Sequence, residues 1–315
     1  MNSNACIIFD IDGVLIDTRK SYNRTIKKTV EYLVKYMDPT IKNGRALVSD
    51  ELIFKFRKSG MFNNDTDTSY AFVLGILCGP SKFSDLHFFI EYITDNATAK
   101  GITSVENYIS TYSENHLKKI RKLINYPGDI HSSILTRVFD EYLYGPSLFK
   151  KQHNTIPKYY FGKPLIENDK ILMRHSTIKK ILNFFERRVG IVSGRSRLAA
   201  EYSMKTLFKF FDNSGSIYLD DEKRERSKPD PSALIKCIKR FGVRNAFYVG
   251  DSTEDLFMVQ RAKKVSNINI ELIGVCASNV RSNQVRNLFK SNGTSLIVRD
   301  VNELPNILNK VMTQF

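Results

Sequence analysis

The chain has 315 residues, 42% of them hydrophobic, enough to bury one large core or two smaller ones, and two domains are expected. Its four cysteines (Cys6, Cys78, Cys237, Cys276) are scattered, which excludes a disulfide scaffold or a clustered zinc site and points to a reducing, cytoplasmic setting. The formal net charge is +15, but the basic excess is spread without a basic tail or an RNP-like aromatic motif, so nucleic acid is not expected as the main partner.

Residues 7–18 read IIFDIDGVLIDT, an apolar strand over 5–9 running into Asp10, Asp12 and Gly13. Strand side chains alternate, so Asp10 and Asp12 are placed to converge on one space as the strand ends. Two carboxylates that close repel unless a shared proton or a cation offsets them, and Mg²⁺ is a usual remedy. Gly13 permits a sharp turn. In isolation, this DxDG string reads equally well as a surface turn.

Helical patterns follow at 21–36, 48–58, 69–77, 84–98, 104–123 and 131–143, with no β signal until residue 188. The rhythm then changes. Strand signals at 188–193, 217–219, 246–249, 271–275 and 295–298 alternate with helical patterns at 196–209, 230–241, 253–265 and 301–312. That alternation predicts a parallel sheet covered on both faces. The first strand has no nearby partner and must join this later sheet, so the helical stretch is an inserted domain. The expected division is 1–18 with 171–315 as core, and 19–170 as a helical domain. No apolar run approaches the ~20 residues needed to span a bilayer, and no leader-like segment precedes Ile7.

Three further strings fall at the carboxyl ends of strands, where open parallel sheets bind ligands. Ser193 ends the strand GIVS and is followed by Gly194, a pairing that reads as an anion cradle or simply as a cap and turn. Lys228 lies in SKPDP just before a helix, able to address a fixed anion or to be solvated. In YVGDSTEDLF, Asp251 and Asp255 bracket a helix start, and their spacing puts them on one helical face. Acids there either complement the helix dipole or complete a metal site.

Strand-end DxDG, strand-end Ser, Lys before a helix and strand-end GDxxxD, in that order, resemble the haloacid dehalogenase superfamily. The insert between the first two motifs resembles subfamily IA, the C1-capped branch of phosphoglycolate phosphatases and β-phosphoglucomutases. FRKSGMFNNDTDTSYAF (56–72) and YYFGKPLIENDKIL (159–172) are similar to an archaeal and bacterial subgroup of that subfamily.

The resemblance implies a Rossmann-like α/β core, an all-helical cap after the first strand, and Mg²⁺-dependent hydrolysis of a small phosphorylated metabolite. In that scheme Asp10 is the nucleophile and Asp12 the general acid and base. Ser193, Gly194 and Lys228 hold the phosphoryl group. The metal lies on Asp10, the Asp12 main-chain carbonyl and Asp251, with Asp255 behind them. Dehalogenases of the superfamily lack an acid where Asp12 stands. A phosphomutase shares every core motif, and a nucleic-acid end-processing protein is the competing reading from another class. The polar stretch Arg57, Lys58, Asn63, Asn64 and Asp65 is either a substrate-reading loop of the cap or a turn capping the next helix.

Overall fold

The computed structural model describes residues 4–41, 48–59, 62, 64–79, 86–96, 101–221, 227–276 and 282–311. The chain folds as two compact units, one of residues 1–18 and 169–315 and the other of residues 19–168.

The first unit is built on a six-stranded sheet of order β5-β4-β1-β6-β7-β8. Its strands are β1 (Ala5–Phe9), β4 (Val189–Ser193), β5 (Ile217–Tyr218), β6 (Asn245–Gly250), β7 (Asn269–Val275) and β8 (Leu296–Val298). Every pairing is parallel. β1 is buried at all five positions, as a strand covered on both faces must be, which is why its sequence is continuously apolar. It takes β4 on one side, with Phe9 opposite Ile191, and β6 on the other, with Phe9 opposite Val249. From β1 the strand order runs outward in both directions, and the crevice at such a switch point is the natural ligand site of this architecture. One face of the sheet is cored by Ile7, Phe9, Ile191, Phe247, Val249 and Ile273.

The helices of this unit are α7 (His175–Phe184), α8 (Arg197–Met204), α9 (Ser232–Arg240), α10 (Thr253–Val265), α11 (Ser282–Ser291) and α12 (Leu304–Val311). α7 and α11 are additional to the helical patterns expected from the sequence. The pattern expected at 196–209 divides into α8 and a 3-10 segment at 205–210, broken where Lys205 adopts φ +51°. A small antiparallel ribbon, β2 (Ile16–Asp17) with β3 (Lys170–Ile171), corrects the expectation that no β structure lies between the first strand and residue 188. Two residues are too few to carry a periodic signal.

The second unit is helical: α1 (Tyr22–Met37), α2 (Asp50–Ser59), α3 (Asp65–Cys78), α4 (Leu86–Asn96), α5 (Ile102–Ile124) and α6 (Ile134–His153). α3 is buried nearly all round and packs against α1 and α5, which explains its unbroken apolar run from Tyr70 to Leu74. α6 runs ten residues past the expected end at 143. Gly145 leaves the helical region at φ +60°, so Pro146 opens a new first turn rather than breaking a continuous one.

Glu141 on α6 is fully buried, accepts from Arg137 Nε at 2.9 Å and from the backbone N–H groups of Lys158 and Tyr160 at 2.8 and 2.9 Å. Glu141→Ala strands the Arg137 charge and frees the 158–160 backbone. We expect a loss of about 3–5 kcal/mol, measurable by chemical denaturation. A loss under about 1 kcal/mol would mean that water replaces the carboxylate.

Among the described residues no helix is long and apolar enough to cross a membrane.

Candidate active site

β1 ends at Phe9, and the chain then closes a tight turn in which the N–H groups of Leu15 and Ile16 both donate to Ile11 O, at 2.8 and 2.9 Å. Asp10 stays tied to the sheet, its N–H donating to Val249 O at 2.9 Å. Gly13 is required twice over. It adopts φ +75°, and a Cβ there would lie 1.9 Å from Asp251 Oδ2. The DxDG turn can therefore pass directly beside Asp251 only because it carries no side chain at that point.

Lys228 is buried, which overturns its reading as a solvated lysine. Its Nζ lies 2.8 Å from Asp10 Oδ2 and 2.8 Å from Asp255 Oδ1. One cation thus joins the acid at the end of β1 to the acid at the start of α10. The Tyr248 hydroxyl, hidden within the apolar run AFYV of β6, donates to Asp255 Oδ1 at 2.8 Å.

Asp251 and Asp255 do not share a helical face. Ser252 is the N-cap of α10, so Asp251 precedes the helix and Asp255 is its third residue. Asp255 closes a capping box with Ser252, and its Oδ2 accepts the N–H groups of Asp251 and Ser252, each at 3.1 Å. The spacing that suggested a shared face instead buries Asp255 and leaves Asp251 half-buried at the strand end.

Ser193 ends β4 fully buried, and its Oγ has no hydrogen-bond partner among the described residues. A buried hydroxyl without a partner is costly unless something outside the protein completes it. At Gly194, its chain neighbours apart, no atom of the described residues lies within 4 Å of where a Cβ would be.

Asp10 and Asp12 are each met by a cation from a different segment. The Asp12 Oδ1 accepts from Arg195 Nε at 2.5 Å, whereas Asp10 faces Lys228. Arg195, Tyr248 and Asp169 are further residues of the site, beyond those expected from the sequence motifs. An arginine two residues past Ser193 was the available signal for the first; the other two carried none.

Burial pushes the Asp10 carboxyl up to about 7, assisted by the charges of Asp255 and Asp12 and opposed by Lys228. Burial also works against the charge of Lys228, but Asp10 and Asp255 outweigh it and raise its pKa. Asp255 goes the other way. Burial disfavours its charge, yet the Lys228 ammonium and the donors Ser252 and Tyr248 hold its carboxyl below the usual value.

Asp10, Asp251 and Asp255 each offer a carboxylate oxygen within 4.8 Å of the others. The Asp12 carboxylate is not in that group. Asp255 is committed at both oxygens, so Asp10 and Asp251 are the pair suited to a cation. An all-oxygen set with two carboxylates fits a hard divalent ion such as Mg²⁺.

In the helical unit, Asn64 is the N-cap of α3 and accepts the Thr66 N–H at 2.9 Å. Arg57 on α2 lies 2.9 Å from Asp65 Oδ1 and donates to Asn23 on α1 at 3.0 Å. These contacts hold three helices together and match the capping alternative for this stretch. Asn63 and the Lys58 side chain lie outside the described residues.

Several solved structures are similar to this chain. One, from the Northeast Structural Genomics Consortium, has a TM-score of 0.66 at 16% identity, over 98% of this chain and 100% of its own. An HAD family hydrolase from Deinococcus radiodurans R1, solved with phosphate and sodium, has a TM-score of 0.48 at 10% identity, covering 98% and 96%. An HAD hydrolase of family IA from Entamoeba histolytica has a TM-score of 0.47 at 14% identity, covering 96% and 95%. No curated protein matches the sequence. The family model of the haloacid dehalogenase-like hydrolases matches residues 5–263, most of the chain. The parallel sheet, with Asp10 at the end of β1 joined through Lys228 to Asp255 at the start of α10, is thus the core of a hydrolase, and this chain belongs to the haloacid dehalogenase-like hydrolase family.

Proposed function

We propose that this enzyme is a Mg²⁺-dependent phosphatase acting on a small phosphorylated metabolite through a phosphoaspartate on Asp10. The observation that carries the reading is the Lys228 ammonium 2.8 Å from both Asp10 and Asp255, in the same unit where Ser193 Oγ has no partner among the described residues. A phosphoryl group beside Asp10 would meet a fixed cation and a buried hydroxyl able to donate. Its three charged oxygens need such donors.

In the first step an Asp10 oxygen bonds to phosphorus as the bond to the leaving oxygen breaks, and the Asp12 carboxyl gives that oxygen a proton. In the second, Asp12 takes a proton from water as the water oxygen bonds to phosphorus, and the Asp10–phosphorus bond breaks to release phosphate. Asp10 and Asp251, with the Asp12 main-chain carbonyl, would hold Mg²⁺, which neutralises charge on the transferring group. Asp255 keeps Lys228 aimed at Asp10, and its capping box fixes the backbone that carries Asp251.

A panel of phosphorylated metabolites assayed with Mg²⁺ for released phosphate tests the reading. Phosphate released from some members and lost with chelator supports it. Transfer to a second sugar phosphate instead of water would make the enzyme a phosphomutase, and no turnover across a broad panel would count against both.

The raised Asp10 carboxyl has a measurable consequence. Below about pH 7 the metal-free carboxyl is protonated, so a cation must displace that proton to bind. Mg²⁺ affinity should therefore weaken as pH falls from 8 to 6, approaching about tenfold per pH unit below the pKa, with proton release detectable by calorimetry in buffers of different ionisation heat. An affinity equal at both pH values would remove Asp10 from the ligand set.

A further inference from the structure

Arg195 lies two residues beyond the end of β4 and is 2% exposed. Its guanidinium contacts include three that are charge-assisted. Nε donates to Asp12 Oδ1 at 2.5 Å, and Nη1 donates to Asp169 Oδ2 at 2.8 Å and to Ser203 Oγ at 2.7 Å. Ser203 on α8 in turn donates to the same Asp169 oxygen at 2.7 Å, closing a triangle. The two acids differ in setting: the Asp169 side chain is 2% exposed and that of Asp12 is 37% exposed.

That asymmetry separates two jobs. A buried guanidinium needs a counter-charge, and Asp169 with Ser203 supplies it and fixes the plane of the fork. The contact to the more exposed Asp12 is then not needed to neutralise Arg195. It constrains Asp12 instead. Asp12 follows the end of β1, in the turn bridged between Asp12 and Ile16, so the Arg195 contact reaches its carboxylate from a different strand end. Asp169 also directly precedes β3, and β3 pairs with β2 just past the Asp12 turn, with Ile16 opposite Ile171. Arg195 thus ties the turn to the ribbon that follows it.

We propose that Arg195 is a positioning residue that orients the Asp12 carboxyl for proton transfer to the leaving oxygen, and that Asp169 and Ser203 hold Arg195 for that purpose. This rests on the reading of Asp12 as the general acid and base given above. A leaving oxygen of high basicity needs the proton as its bond breaks, while a weakly basic one departs without it. Misdirecting Asp12 should therefore penalise the two unequally.

The test compares kcat/KM for 4-nitrophenyl phosphate and phenyl phosphate, probes of similar shape with leaving groups of different basicity, at saturating Mg²⁺. Arg195→Met should cost roughly 10- to 100-fold more on phenyl phosphate than on 4-nitrophenyl phosphate. Asp169→Asn and Ser203→Ala should show the same inequality at smaller size, and Arg195→Lys should recover part of it. A purely structural role would lower both substrates together, in proportion to folded protein measured by circular dichroism. Should Arg195→Met not fold, the Asp169→Asn and Ser203→Ala pair carries the same comparison. Asp12→Asn separates the two levels. If it shows the unequal loss and the other folded variants do not, the role of Arg195 is overturned while that of Asp12 stands. If Asp12→Asn itself loses both substrates equally, both assignments fall.

Discussion

Replacing Asp10 with asparagine is expected to lower turnover by roughly four to six orders of magnitude while leaving the fold intact, as removal of a covalent nucleophile does. The side chain keeps its volume, and its carbonyl can still accept the Ile11 N–H that Asp10 Oδ1 accepts at 2.7 Å. Lys228 retains its second partner, Asp255, at 2.8 Å. The variant also removes a buried carboxyl whose charged form is disfavoured by its surroundings, so stability should not fall with activity. Thermal unfolding and phosphate release are measured on the same preparation. Turnover within a few-fold of the unaltered enzyme would exclude Asp10 as nucleophile.

Lys228→Met should damage both stability and activity. Asp10 and Asp255 are buried on either side of the ammonium, and its loss leaves two carboxylates facing each other without a cation. Breaking a buried pair this way costs about 3–5 kcal/mol, a large share of the roughly 5–15 kcal/mol that keeps a domain folded. An unfolding midpoint lower by roughly 10 °C is expected. Added Mg²⁺ should restore part of that loss, because on Asp10 and Asp251 it returns positive charge beside the Asp10 carboxylate and binds only the folded state. A midpoint unchanged without metal would mean that Asp10 simply takes up a proton. Activity should then still fall, since a protonated Asp10 cannot attack phosphorus.

The elements legible in the sequence are those whose burial leaves a local pattern. β1 and β6 are sealed on both faces, and their apolar runs show it. α3 begins at Asp65, well before its apolar run, because its first turn is fixed by the Asn64 cap rather than by hydrophobic spacing. The side chains of the site obey tertiary rules instead. Lys228 reads as solvated in SKPDP because the two acids that pair with it come from residues far away in sequence, just past β1 and in the first turn of α10. Asp255 follows Asp251 by four, yet Ser252 starts the helix between them and sends the two acids to different tasks. Asp169 lies 26 residues before Arg195, within the string at 159–172, but only the fold brings it to the guanidinium.

The most direct measurement is chemical trapping of the covalent intermediate. The enzyme is mixed with Mg²⁺ and 4-nitrophenyl phosphate, quenched within the first turnovers, reduced with borohydride and mapped by peptide mass. An acyl phosphate on a carboxyl side chain is reduced to an alcohol, so the aspartate at position 10 should be recovered as homoserine in the peptide carrying residues 7–18, with no change at Asp12, Asp251 or Asp255. Turnover with no reduction at position 10, or reduction at another carboxylate, would contradict the assignment of Asp10 as the group that receives the phosphoryl.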